Sequence, residues 1–333
     1  MMTYKTLTGS DLSVYPICLG TSGLGTTVAQ DDAFRLLDLY VGRGGNFLDT
    51  ALVYANWLPG ERSVSEKTIG RWLKARGNRA ELVIATKGGH PELSSMEIPR
   101  LSEREIVADL DASLAHLQVD TIDLYYLHRD DPTRPVGEIM DVLQAQVAVG
   151  KIRYVGCSNW CADRIRQAQA HAKAHGFTGF VANSMLWNLA FVDPESLVDQ
   201  GIVMMDKALR QFHVDARMAA VPFSSQAGGL FQKIASGSSD DLSPGLQRMY
   251  PLPENRRRLE RIVRLADEMG LSVTQIVLGF LLSQPFVTIP IVGSRTPAQL
   301  ADSLSAVDVR LEPRQVAYLE RGAQREEPGV CPA

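Results

Sequence analysis

Eight short apolar segments, each bounded by turn-forming residues, recur along the chain and restrict the folds that it can adopt. They lie at residues 17–20, 46–49, 82–86, 122–127, 152–156, 180–183, 219–223 and 287–291. Each segment is apolar on both faces, which is typical of a strand in a parallel sheet that helices cover on both sides. Helical patterns separate the segments, so the sequence predicts strands that alternate with helices.

Two of the intervening stretches place apolar residues at helical spacing. One stripe is formed by Ile106, Leu110, Leu114 and Leu117, and a second by Leu259, Ile262, Val263, Ala266 and Met269. Ser102 lies three residues before Glu105, a spacing that predicts a capping box at the start of the first of these helices.

Eight strands that alternate with helices over about 300 residues are typical of a closed (β/α)8 barrel. We therefore expect an α/β fold, a (β/α)8 TIM barrel, in which residues 1–333 form a single domain with its core at about 15–311. A strand or hairpin is expected to cap the N-terminal end, and elongated loops to lie on the C-terminal face. Residues 231–258 are rich in Ser, Asp, Gly and Pro and predict an extended loop, and residues 312–333 predict a C-terminal helix and tail.

The alternative fold is a doubly wound open sheet with a second domain. That fold normally carries the motif G-x-G-x-x-G after its first strand. The glycine-containing segments at residues 23–28 and 42–45 both fail this pattern, and no linker or change in composition divides the chain. The sequence therefore favours the barrel.

Composition and charge exclude several classes of partner. Acidic residues outnumber basic ones by 38 to 34, which gives a formal charge of −4 and no basic footprint for nucleic acid or an anionic membrane. No apolar stretch is long enough to span a bilayer, and the N-terminal residues lack the apolar core of a signal peptide. We expect a cytoplasmic protein without a disulfide scaffold or a zinc motif, because its cysteines are few and scattered: Cys18, Cys157, Cys161 and Cys331.

Polar residues stand at the ends of three successive predicted strands. Asp49 ends the second strand, Lys87 the third and His128 the fourth, and Tyr54 lies five residues beyond Asp49. Taken alone, each could cap a loop or face solvent. In a barrel, however, the carboxyl ends of the strands meet at the face that carries the active site, so we expect these side chains to converge.

The four side chains together suit the reduction of a carbonyl group. A tyrosine hydroxyl, with a pKa of about 10, is a weak acid at neutral pH, and a neighbouring ammonium such as Lys87 is expected to lower that pKa. Asp49 would hold the lysine charged, and a neutral His128 could orient a carbonyl oxygen. The protein would protonate this oxygen while a hydride arrives from a cofactor.

At these residues the chain resembles the aldo-keto reductase superfamily. The likeness is carried by residues 45–54, 85–87, 123–128 and 150–159 and extends from about 4 to 311. It implies that Tyr54 is the general acid, that Asp49 and Lys87 tune it, and that His128 orients the carbonyl. It also implies a nicotinamide dinucleotide bound without a Rossmann unit, in an extended cleft across the barrel mouth and near the predicted loop 231–258.

The resemblance also implies which residues bind the cofactor. Near the nicotinamide these are Ser158, Asn159, Ser184 and Phe223; over the pyrophosphate, Ser224, Gln226, Gly228 and Leu230; and at the adenosine end, Gly293, Ser294, Arg295, Gln299, Asp302 and Ser303. Ser184 and Phe223 replace a frequent glutamine and tyrosine, and the phenyl ring keeps a stacking face. Ser294 and Arg295 suit a 2′-phosphate, so NADPH (or NADP+) is expected rather than NADH. Gln299 stands where a second arginine is frequent.

The substrate pocket is expected to be lined by Trp57, His90, Trp160 and Trp187, although each tryptophan could instead pack within a loop. A polar rim favours a small polar aldehyde or ketone, for example one derived from a sugar. Two other functions remain open: an NADP(H)-binding regulatory subunit that senses redox state with vestigial catalysis, and a metal-dependent isomerase or lyase. No metal-ligand cluster is visible in the sequence, and a monomer is favoured over an oligomer.

Overall fold

In a computed structural model, which describes residues 4–320, the chain begins with a hairpin and continues into eight parallel strands. The hairpin pairs β1 (Lys5–Thr6) and β2 (Ser13–Val14) in antiparallel fashion. The parallel strands are β3 (Cys18–Gly20), β4 (Phe47–Asp49), β5 (Val83–Gly88), β6 (Ile122–Leu127), β7 (Ile152–Ser158), β8 (Phe180–Ser184), β9 (Ala219–Ala220) and β10 (Ile291–Gly293). Neighbours in the chain are neighbours in the sheet from β3 to β9, which excludes the doubly wound alternative.

The sheet curls into the (β/α)8 barrel that the sequence predicts. β10 pairs with β3 at one edge. At the other edge the segment that leads into β10 meets β9, since Ile289 N donates to Ala220 O and Ile291 N to Pro222 O, each at 2.9 Å. All eight strands therefore end at the same rim.

Helices surround the sheet and cover its outer face. They are α1 (Gln30–Gly42), α2 (Val64–Arg76), α3 (Glu103–Leu117), α4 (Val136–Ala148), α5 (Ala162–His175), α6 (Lys207–Ala216), α7 (Leu230–Ala235), α8 (Pro244–Met249), α9 (Leu252–Met269), α10 (Val273–Leu282), α11 (Pro297–Leu304) and α12 (Pro313–Glu320). The predicted capping box is confirmed: Ser102 Oγ accepts from Glu105 N, and Ser102 N donates to the Glu105 carboxylate at 3.1 Å.

The hairpin closes the N-terminal end of the barrel. Leu7, Leu12 and Val14 are buried against residues at the beginnings of the strands, among them Phe47 and Val83. Because this end is filled by apolar side chains, only the opposite rim, where the strands end, is available for a polar site.

Residues 231–258 do not form the extended loop expected from their composition. They contain most of α7, all of α8 and the first turns of α9. Ser243 is the N-cap of α8, with its hydroxyl accepting from Leu246 N, and Pro244 is the first helical residue. Ser243 and Pro244 therefore begin a helix here rather than form a loop.

At the C-terminus, α12 lies within the predicted helix and tail, and residues 321–333 of that prediction lie outside the described residues. Within residues 4–320 no single helix is long and apolar enough to cross a membrane; α9 and α10 reach that length and apolarity only as a pair bent by 96°. Cys18 and Cys157 are buried free thiols.

Candidate active site

A buried lysine links the ends of β4 and β5 to the loop between β4 and α2. Lys87 Nζ donates to Asp49 Oδ1 at 2.6 Å and to the Thr50 carbonyl oxygen at 2.8 Å. The same ammonium lies 3.0 Å from the hydroxyl oxygen of Tyr54. The lysine and aspartate side chains are 2% and 1% exposed, so this ion pair is almost fully removed from water. Three of the four predicted catalytic side chains are thus in direct contact.

The chain reaches this arrangement by folding the loop after β4 back over β5. Leu52 N donates to Lys87 O at 3.0 Å, and Tyr54 N donates to Ala51 O at 3.1 Å. Ala55 then adopts φ 70°, a left-handed conformation that L-residues with a side chain seldom occupy. This tight turn holds Tyr54 above the lysine, and strained backbone of this kind is frequent at functional sites.

The electrostatics of the cluster differ from the sequence-based expectation in one respect. Burial disfavours the ammonium of Lys87, but Asp49 and the Tyr54 oxygen outweigh burial and raise the pKa of Lys87, which stays charged. Burial also raises the pKa of Tyr54 above 10.0, although the charge of Lys87 opposes this. Lys87 thus lowers the pKa of Tyr54 as expected, but the net pKa is raised, because desolvation of the phenolate exceeds the attraction of the ammonium.

His128 directly follows β6 and faces the same cluster. Its ring centroid is 6.0 Å from that of Tyr54, in an edge-on arrangement. Burial, and then the positive charge of Arg129, hold the pKa of His128 well below 6.5, so the imidazole is neutral at neutral pH. Its Nδ1 is buried and has no hydrogen-bond partner within residues 4–320. The site thus combines a protonated hydroxyl, a fixed ammonium and a neutral imidazole.

The ends of β7 and β8 carry the residues predicted to contact the nicotinamide. Ser158 and Ser184 are paired in register, and Asn159 N donates to Ser184 O at 2.9 Å. The Asn159 amide nitrogen donates to the His128 carbonyl oxygen and to Ser158 Oγ, each at 3.1 Å. Asn159 therefore ties three strand ends together. Ser184 Oγ is buried without a hydrogen-bond partner among residues 4–320.

The remaining predicted cofactor residues lie after β9 and β10. Phe223 N donates to Met185 O at 3.0 Å, which places the half-buried phenyl ring just past β9. Gln226 Nε2 donates to Ser303 Oγ at 2.9 Å, so the two segments meet. The other predicted residues follow along the same two segments. Ser224 and Gly228 are exposed and have positive φ, and Leu230 begins α7. Gly293 ends β10, and the Asp302 carboxylate accepts a hydrogen bond from the Thr274 hydroxyl.

The segment predicted to contact the adenosine carries polar groups without partners among residues 4–320. Ser294 Oγ is buried without a partner, and Arg295 is exposed and forms no ion pair with any of residues 4–320. Gln299 Oε1 accepts from Arg295 N at 2.9 Å and so holds the turn that presents this arginine. Within the described residues 4–320, the buried hydroxyls of Ser184 and Ser294 have no partner and the Arg295 guanidinium has no ion pair, and these groups fit a polar, anionic ligand along this rim.

Two of the four predicted pocket residues lie at the cleft and two do not. Trp57 is 54% exposed and its ring centroid is 6.2 Å from that of Tyr54, and the His90 centroid is 4.8 Å from that of His128. Trp160 is fully buried, packs edge-on against Phe180 and donates to the Arg129 carbonyl oxygen.

Trp187 is 9% exposed and packs against Phe280 and Phe286. The assignment of Trp160 and Trp187 to the substrate pocket is therefore wrong, since both rings turn into the protein interior.

Next to His128 the structure shows an ion pair that sequence reasoning did not identify. Arg129, next to His128, pairs with Asp199 from the long segment between β8 and α6. Seventy residues separate the partners, so no local pattern could have indicated their contact. Within the described part of the chain, no group of three or more His, Cys, Asp or Glu residues is arranged to hold a metal ion.

A tyrosine hydroxyl in contact with a buried ammonium, beside a neutral histidine at the open rim of a (β/α)8 barrel, can donate a proton to the oxygen of a carbonyl group. The family model described as "Aldo/keto reductase family" matches residues 16–323, and the chain belongs to this family. The resemblance found in the sequence is thereby confirmed.

Curated relatives are named as oxidoreductases. The chain is 32% identical to the uncharacterized oxidoreductase YrpG of Bacillus subtilis, with 93% of each chain covered. It is 29% identical to an aryl-alcohol dehydrogenase [NADP(+)] of Phanerodontia chrysosporium, over 93% of this chain and 83% of the relative. It is 28% identical to a norsolorinic acid reductase of Emericella nidulans, over 93% of this chain and 78% of the relative.

Proposed function

We propose that the protein is an NADPH-dependent oxidoreductase that reduces an aldehyde or ketone to an alcohol, with Tyr54 as the general acid. The observation that carries this proposal is the 3.0 Å contact between the Tyr54 hydroxyl and the Nζ of Lys87, a side chain that is only 2% exposed. NADPH, when bound, supplies the hydride. The opposite reaction, oxidation of an alcohol with NADP+, uses the same groups in reverse.

Each side chain has one role in the proton transfer. The hydroxyl proton of Tyr54 passes to the carbonyl oxygen, and the tyrosinate that remains is stabilised by the ammonium of Lys87. Asp49 keeps that ammonium charged and in place through the 2.6 Å contact. His128, neutral because of its burial, donates a hydrogen bond from Nε2 to the carbonyl oxygen and orients it.

The cofactor would lie along the rim formed by the ends of β7 to β10. The Ser158, Asn159, Ser184 and Phe223 positions would hold the nicotinamide, and the segments 224–230 and 293–303 the pyrophosphate and adenosine. The guanidinium of Arg295 and the hydroxyl of Ser294, which have no ion pair and no hydrogen-bond partner, respectively, among residues 4–320, favour a 2′-phosphate and hence NADPH over NADH. The relative named for NADP(+) supports this preference.

The substrate is proposed to be a small polar carbonyl compound. Trp57 and His90 lie at the cleft beside Tyr54, and the charges of the Arg129–Asp199 ion pair act on His90, so the cleft combines one exposed aromatic face with polar groups. An aromatic aldehyde or a sugar-derived aldehyde could contact both the aromatic face and the polar groups. We further propose that the chain acts as a cytoplasmic, single-domain monomer without a nucleic-acid or membrane partner.

The test is cofactor oxidation by the purified protein with NADPH and with NADH, across a panel of benzaldehydes and sugar-derived aldehydes. We expect alcohol to form in a one-to-one ratio with NADP+, and slower turnover with NADH. Tight NADPH binding without turnover of any aldehyde would contradict the proposal and favour a redox-sensing regulatory subunit. Activity abolished by a chelator would favour the metal-dependent alternative.

A further inference from the structure

His90 brings a second imidazole to the cleft beside His128. It lies two residues beyond the end of β5, is half-buried, and packs edge-on against His128 with ring centroids 4.8 Å apart. Its Nε2 forms no hydrogen bond with any of residues 4–320. A polar atom of this kind at the edge of a reaction site is available to a substrate group.

The other ring nitrogen determines what Nε2 can do. Nδ1 lies 2.7 Å from the carbonyl oxygen of Pro91. Because a carbonyl oxygen only accepts hydrogen bonds, Nδ1 must carry the proton. Burial, and then the charge of Arg129, lower the pKa of His90 below 6.5, so the ring holds one proton at neutral pH. Nε2 is therefore a hydrogen-bond acceptor.

The main chain on both sides of this imidazole is fixed by a partly buried ion pair. Gly89 N donates to Asp109 Oδ2 at 2.8 Å, and the His90 carbonyl oxygen accepts from Arg100 Nη1 at 3.0 Å. Arg100 and Asp109 are themselves joined at 3.0 Å. Because backbone and ring are both anchored, the acceptor is held in one position, which is the condition for selecting a substrate by hydrogen bonding.

We propose that His90 selects carbonyl substrates that carry a hydroxyl group on the carbon next to the carbonyl, because that hydroxyl donates a hydrogen bond to Nε2. The inference rests on the proposed carbonyl reduction and narrows its substrate class to 2-hydroxy carbonyl compounds. His128 binds the carbonyl oxygen and His90 the adjacent hydroxyl, so the two neighbouring imidazoles match two neighbouring oxygens. A substrate without the hydroxyl leaves the acceptor without a partner once water is displaced.

The experiment compares three aldehydes of similar size: 2-hydroxypropanal, 2-methoxypropanal and propanal. The methoxy compound keeps the oxygen but cannot donate. We expect kcat/KM of the wild-type protein to be at least about 5-fold higher for 2-hydroxypropanal than for either of the others. In His90→Phe, which keeps a ring but has no acceptor, this preference should disappear. In His90→Gln, which has an acceptor oxygen, part of it should return.

The matched control is His175→Phe, the same substitution at an exposed histidine of α5. Its kcat/KM ratios for the three aldehydes should equal those of the wild type. Equal kcat/KM ratios in wild type and His90→Phe, or a wild type that does not distinguish the hydroxy from the methoxy compound, would overturn the role of His90. Failure of the wild type to reduce any aldehyde would instead contradict the proposed function and the inference with it.

Discussion

Removal of the buried ammonium should destabilise the protein far more than removal of the whole ion pair. Lys87→Met leaves the Asp49 carboxylate 1% exposed, and its Oδ2 already has no partner within residues 4–320. An uncompensated buried charge of this kind costs about 3–5 kcal/mol. In the double variant Asp49→Asn/Lys87→Met no charge remains, and the loss should fall to below about 2 kcal/mol, because buried ion pairs contribute little beyond their own desolvation.

The assay is equilibrium unfolding in urea, followed by circular dichroism, for the wild type, both single variants and the double variant. The destabilisation of Lys87→Met should shrink as the pH falls. Burial raises the pKa of Asp49, the charge of Lys87 opposes this rise, and without Lys87 the carboxyl is protonated more readily. Additive losses in the double variant, or a Lys87→Met loss that does not change with pH, would refute the reasoning.

Three further predictions test other parts of the structure. Arg295→Leu should raise the KM for NADPH roughly 10-fold and leave the KM for NADH unchanged. The control Arg264→Leu, at an exposed arginine of α9, should change neither KM. Equal effects of Arg295→Leu on both cofactors would contradict a contact with the 2′-phosphate. Ser102→Ala should lower the free energy of unfolding by about 1 kcal/mol, measured in urea, without changing kcat. Burial lowers the pKa of both His90 and His128 below 6.5, so any loss of kcat/KM for reduction that comes from their protonation should have its midpoint below pH 6.5. A midpoint at or above pH 6.5 would contradict the direction of both shifts.

The strands could be predicted because each is apolar on both faces and bounded by turn residues. The segment 122–127 matches β6 at both ends. The last segment, predicted at 287–291, differs from β10, which begins at Ile291. Pro290 has no N–H to donate, so the ladder before β10 is interrupted although Pro290 O accepts from Cys18 N.

The position of each polar residue at a strand end could also be predicted, but not the direction of every side chain. Asp49, Lys87 and Tyr54 meet because parallel strands end at one rim. Trp160 and Trp187 follow strand ends in the same way, yet their rings turn into the interior, where they contact aromatic residues from distant segments. The position of a residue relative to a strand end does not indicate which distant residues its side chain will contact.

The balance of charges within the site likewise depended on the structure. The sequence placed an ammonium near Tyr54 and indicated a lowered pKa, but the degree of burial decides the sign, and only the packed site shows it. The contact of Arg129 with Asp199 depends on how the 22-residue segment between β8 and α6 folds.

The central claim is that Tyr54 donates the proton to the carbonyl oxygen. The most direct measurement is single-turnover oxidation of bound NADPH by an aldehyde substrate, compared between the wild type and Tyr54→Phe, with the dissociation constant for NADPH measured for both. The account predicts a loss of at least about 100-fold in the rate of the chemical step, at an unchanged affinity for NADPH, because general acid catalysis contributes about 10²–10⁴-fold. A Tyr54→Phe protein that oxidises bound NADPH at the wild-type rate would contradict it.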